Sequence, residues 1–85
     1  KAMNKPKAGL VFNKAALPRV TAAITDADLV ACEATDCIAD ENNVQVEVMA
    51  GKVFLTVEED DFPQLRESLM KEHIEVPPLD ALKPY

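Results

Sequence analysis

The chain has 85 residues, a mass of 9.3 kDa and a formal net charge of −6, which leaves room for one domain with one thin core. No run approaches the twenty or so apolar residues that a membrane-spanning helix needs. No signal-peptide pattern opens the chain, and its two glycines, Gly9 and Gly51, build no Gly-rich phosphate cradle.

The charge is unevenly divided. Residues 1–25 hold Lys1, Lys5, Lys7, Lys14 and Arg19 and no acid, a balance of +5, whereas residues 26–85 hold four bases and fifteen acids, a balance of −11. A body of that sign repels nucleic acid and anionic lipid. The basic start is complementary to the acidic body of a second copy, or to another acidic protein. The first residue is Lys1 rather than Met, so we expect further residues upstream, cut away or disordered.

In chain order, residues 1–8 hold three lysines, a proline and few apolar side chains, the composition of a mobile basic arm. Gly9-Leu10-Val11-Phe12 is short, apolar and compatible with a strand. Asn13 after it suits a turn or a helix cap. From Pro18 to Asp40 the reading is one long amphipathic helix, with Pro18 in its first turn. Val20, Ile24, Ala27, Ala31, Ala34 and Ile38 recur at helical steps and form one apolar stripe. A competing signal sits inside it. Thr25-x-x-Asp28 resembles a capping box, which implies a bend near Thr25 or a new helix start near residue 26.

Val44 to Val57 is the clearest stretch. Val44, Val46 and Val48 alternate with polar residues, as do Val53, Leu55 and Val57, which is the period of half-buried strands. Ala50-Gly51 between them marks a hairpin turn. A two-residue loop there pairs Met49 with Lys52, Val48 with Val53, Val46 with Leu55 and Val44 with Val57, so that the apolar pairs share one face. A three-residue loop with a bulge is the other turn compatible with Gly51. Met49 and Phe54 fall on the outer face and form a candidate contact patch.

After the hairpin, Glu58-Glu59-Asp60-Asp61 precedes Phe62-Pro63. Asp60 or Asp61 is expected to cap a helix over 62–73 that buries Phe62, Leu65, Leu69 and Met70. His73 closes that helix, and Ile74-Glu75-Val76 reads as a short strand ended by Pro77-Pro78. Residues 77–85 form a Pro-rich tail in which Leu79, Leu82 and Tyr85 are possible anchors.

Cys32 and Cys37 are the only cysteines, and His73 is the only histidine. That is too few ligands for an ordinary structural zinc site. On one helix, positions five apart lie beyond disulfide reach. Both are therefore expected as reduced, buried thiols, which favours a reducing, soluble compartment or an assembled particle.

The expected order of strand 9–12, helix 18–40, strands 44–50 and 52–58, helix 62–73 and strand 73–76 is the βαββαβ plan of ferredoxin-like α+β domains. An αββα sandwich is the fallback if the outer strands fail. The domain would span 9–76, with both helices on one face of an antiparallel sheet.

The fold licenses no activity by itself. Phe54 is the only aromatic of the hairpin, against the several that RNA-recognition sheets present. No convergent acid, base and nucleophile appears, so the chain is read as no enzyme, with no cofactor and no metal. The expectation is a small acidic interaction or assembly module, a structural subunit of a larger complex. Its partners would be other protein chains, copies of itself included, with no direct nucleic acid and no membrane. The candidate contact residues are Lys1, Lys5 and Lys7 of the arm, the Glu58, Glu59, Asp60 and Asp61 cluster, Met49 and Phe54, and Leu79 and Tyr85 of the tail. The alternative is an acidic mimic of nucleic acid that inhibits a basic partner.

Overall fold

The structure is a computed structural model that describes residues 6–33 and 42–78. The fold is α+β. Strand β1 (Lys7–Asn13) leads through a short 3-10 turn (Lys14–Ala16) into helix α1 (Leu17–Asp26). Strands β2 (Val30–Glu33), β3 (Asn43–Met49) and β4 (Lys52–Glu58) follow, and helix α2 (Phe62–Lys71) comes last. The sheet order is β1-β4-β3-β2. β1 and β3 each pair antiparallel with β4, while β2 pairs parallel with β3, so the sheet is mixed.

The hairpin takes the expected register, with Met49 opposite Lys52, Val48 opposite Val53 and Val46 opposite Leu55. Its loop has two residues, both in the left-handed region, Ala50 at φ 55° and Gly51 at φ 74°. Positive φ at both positions is the requirement of a type I′ turn, whose twist matches that of the strands. Val44, Val53, Leu55 and Val57 are buried with Ala8 and Leu10 of β1 on the same face. α1 contributes Val20, Ala23 and Ile24, and α2 contributes Phe62, Leu65 and Leu69. The two helices pack side by side on that one face. Each fully buried Val, Leu, Ile or Phe contributes about 1.5–3 kcal/mol, as an upper estimate against a compact unfolded chain.

Several expectations are corrected. α1 stops at Asp26 instead of running to Asp40. The reason is a Schellman ending: Asp28 takes φ 60°, its N–H donates to the Thr25 carbonyl, and the Leu29 N–H reaches the Ile24 carbonyl at 3.1 Å. Leu29 is buried and supplies the apolar contact that accompanies this motif. Thr25 starts no second helix. Its hydroxyl donates back to the Thr21 carbonyl at 3.2 Å. Ala31, expected in the helical stripe, is an exposed strand residue, while Ala34 and Ile38 lie outside the described residues.

α2 ends by the same device. His73 sits at φ 64°, its N–H donates to the Met70 carbonyl, and the Ile74 N–H donates to the Leu69 carbonyl at 3.0 Å. The position of Met70 is also corrected: it is 45% exposed, and Ser68 takes the buried place. The final strand is absent. Ile74 and Val76 are buried and Glu75 is exposed, as the alternation implies, but the segment pairs with no strand. Instead the Arg66 side chain donates from Nε to the Val76 carbonyl at 2.9 Å. The element order is therefore β-α-β-β-β-α, and the βαββαβ order is not met.

Candidate functional site

The helices cover one face of the sheet, and alternation assigns the residues of the other. Because Ala8, Leu10, Val53, Leu55 and Val57 point into the core, Gly9, Val11, Phe54 and Thr56 point away from it. The register sets them in rows. One row runs Val11, Phe54, Glu47, and the next runs Gly9, Thr56, Gln45, Cys32. Asn13, Lys52 and Met49 form the row at the hairpin end. Val11 is 55%, Met49 50% and Val30 59% exposed, and Phe54 between Val11 and Glu47 is half-buried. This is a broad, mostly uncharged strip on a chain of net charge −6.

Of the candidate contact residues, Met49 and Phe54 both lie on this strip, with Phe54 one row in from Met49. Sequence reasoning missed Val11, which extends it onto β1, and Val30, which stands apart on β2 opposite Asn43. Val11 sits in a four-residue apolar run whose alternation is too short to assign a face, and Val30 was placed in a helix. Lys7 is a residue of β1 and the register partner of Glu58. Lys7 of the basic start and Glu58 of the acidic body thus stand opposite each other in the β1–β4 register, and an opposite-charge pair so placed is worth roughly 0.2–1 kcal/mol. Lys1, Lys5, Leu79 and Tyr85 lie outside the described residues.

The acidic turn divides. Glu58 and Asp61 are buried, Glu59 is half-buried and Asp60 is exposed. Asp61 stands at the N-cap position of α2 but makes no side-chain cap bond, which corrects the capping expected of Asp61. Its Oδ2 instead accepts the Asn42 N–H at 3.0 Å, and the Asn42 carbonyl accepts the Val30 N–H at 2.8 Å. The carboxylate therefore fixes the point where β2 and β3 begin their parallel pairing. Among the described residues, no three His, Cys, Asp or Glu are grouped to hold a metal ion.

Cys32 is disulfide-bonded, and Cys37, outside the described residues, is the only other cysteine of the chain. The expected reduced thiol is corrected, because residues 30–33 are extended and the helical spacing argument does not apply to them. The argument for a reducing compartment falls with it. His73 serves as the left-handed residue after α2, with its main chain rather than its side chain engaged.

On the helix side, the short α1 leaves part of the sheet uncovered. Leu17, Thr21, Ala31, Val46 and Val48 line an open groove of about 520 Å³, rimmed by Glu33 and Glu47. Val48, expected beneath a long helix, is 44% exposed there. Among the described residues, no helix is long and apolar enough to cross a membrane. No family model, no curated protein and no solved structure matches the chain.

Proposed function

We propose that the chain is a non-enzymatic interaction module, a small acidic subunit that docks on other protein chains in a larger assembly. The observation that carries this reading is the sheet strip of Val11, Phe54 and Met49, which none of the described helices covers. Its apolar side chains come from β1, β4 and β3, with Val11 and Met49 exposed and Phe54 half-buried. Clustered exposed apolar side chains on a small domain mark a contact surface, whereas single ones need no explanation. The same reading takes the fold as a derivative of the ferredoxin-like plan, with β2 added at one edge and the last strand left unpaired. No observation favours the nucleic-acid mimic. Two of the four carboxylates of its acidic cluster are buried, and one of them is occupied by a backbone N–H.

The test is site-specific photo-crosslinking in extracts of the producing cells. A photo-reactive residue replaces Met49 on the strip or, as control, the exposed Glu67 on α2. Discrete protein adducts from position 49 and none from position 67 are the expected result. Equal labelling from both positions, or none from position 49, refutes the reading.

A further inference from the structure

Among the described residues strand β1 is an edge of the sheet, and the two ends of its ladder show which of its backbone groups β4 uses. The Lys14 N–H donates to the Gly51 carbonyl at 3.0 Å, and the Glu59 N–H donates to the Pro6 carbonyl at 3.0 Å. In an antiparallel pair, hydrogen-bonded residues alternate with non-bonded ones. Given the register from Lys7 opposite Glu58 to Asn13 opposite Lys52, Ala8, Leu10 and Phe12 turn their N–H and C=O groups to β4. Gly9 and Val11 turn theirs out of the edge. Residues 74–78 do not engage them, since Ile74 bonds to Leu69 and Val76 to Arg66, both on α2.

We propose that β1 pairs antiparallel with β1 of a second copy about a two-fold axis at Leu10, joining two four-stranded sheets into one. This rests on the interaction reading above and names the partner and the site. The outward groups belong to odd-numbered residues, so two antiparallel copies must pair odd with odd. The register of full overlap does so. It sets Gly9 opposite Val11 of the second copy, Ala8 opposite its Phe12, Leu10 opposite its Leu10 and Lys7 opposite its Asn13. Small residues face large ones on both sides of the sheet, and the 55%-exposed Val11 covers the gap left by Gly9. Sliding the pair by two residues toward the N-terminus instead sets Lys7 against Val11 and Phe12 against Pro6, outside the strand. A single edge buries little area, so the dimer is weak and concentration-dependent. Two copies that each carry −6 also associate more tightly as salt rises.

The experiment is sedimentation velocity of the full chain over a wide concentration range, with amide exchange of Gly9 and Val11 followed by NMR. It is repeated on Val11→Pro, which removes an outward N–H and leaves the β4 ladder intact. The expected result is a dimer in which both amides become protected as it forms, while folded Val11→Pro dimerises about tenfold more weakly or weaker still, having lost two symmetry-related hydrogen bonds. A dimer whose Gly9 and Val11 amides exchange as in the monomer overturns the proposal and leaves the interaction reading standing. A monomer at every concentration overturns it too. If those amides are protected in the monomer, the edge is already taken by the chain itself. Discrete adducts from position 49 in any of these cases separate failure of the site from failure of the reading.

Discussion

Ala50 is the residue to change first. It occupies the left-handed region at φ 55° with an exposed side chain, so its methyl contributes no core packing and its conformation opposes its chirality. Left-handed backbone costs an L-residue about 1–2 kcal/mol. Asn tolerates it, and Asn-Gly is the preferred pair for this turn. Ala50→Asn should therefore stabilise the domain by about 1 kcal/mol, which raises Tm by about 4–8 °C at this chain length. Gly51→Ala is the mirror experiment. At φ 74° an added Cβ meets no atom within 4 Å, so the loss comes from backbone strain alone. Set against the entropy that Ala removes from the unfolded chain, a net destabilisation of about 1 kcal/mol is expected. The chain lacks Trp, so urea and thermal unfolding followed by far-UV circular dichroism is the assay. The m-value should stay constant, since neither change alters the surface exposed on unfolding. If Ala50→Asn is neutral and Gly51→Ala costs nothing, the loop is not a two-residue turn with both residues left-handed. The reasoning would then be refuted.

Three further outcomes follow from the same bonds. Asp28→Asn keeps a side chain suited to φ 60° and removes a negative charge from the C-terminal end of α1. It should stabilise by roughly 0.3–1 kcal/mol in low salt and less in high salt, measured by urea titration. Cys32 should resist alkylation in the unfolded chain until reductant is added. Cys32→Ser should cost about 2 kcal/mol, the loop entropy of so short a ring, read from thermal melts against the oxidised parent. Removing residues 1–8 takes out the buried Ala8 and the Pro6 carbonyl that binds Glu59, and it should lower Tm by several degrees, since each lost backbone bond is worth about 0.5–1.5 kcal/mol.

The hairpin was legible because two independent signals agree there. The alternation of Val44 to Val48 and Val53 to Val57 fixes a face, and Gly51 fixes the turn that keeps both strands on it. The long helix was misread because only one signal spoke for it. Ala27, Ala31 and Ala34 satisfy a helical spacing but are too small and too weakly apolar to decide a face. Meanwhile Asp28 carries the left-handed ending that a glycine would have announced. β2 was hidden for the same reason: four residues with one β-branched side chain, paired parallel to a distant strand, leave almost no local imprint. Of the candidate surface, Met49 and Phe54 could be read from the hairpin alone. Val11 joins them only through the pairing of β1 with β4, which is non-local information.

Among the described residues, four non-glycine residues take positive φ: Asp28, Asn42 and Ala50 each stand between two elements, and His73 follows α2. Three of these junctions are stabilised by other contacts. Leu29 and Ile74, the residues that follow Asp28 and His73, are buried, and Asn42 is held between the Asp61 carboxylate and the Val30 N–H. Ala50 alone has only the hairpin ladder to hold it, which is why it carries the largest expected gain. The Asn42 junction also bears on function. An acidic turn read from sequence as an outward-facing cluster uses Asp61 to set the start of β3 and buries Glu58 beside Lys7 in the register. Charge at that turn therefore shapes the fold first. Among the described residues, the side of the sheet that no helix covers carries the apolar strip of Val11, Phe54 and Met49, with the Lys7–Glu58 row at one end and Lys52 beside Met49 at the other.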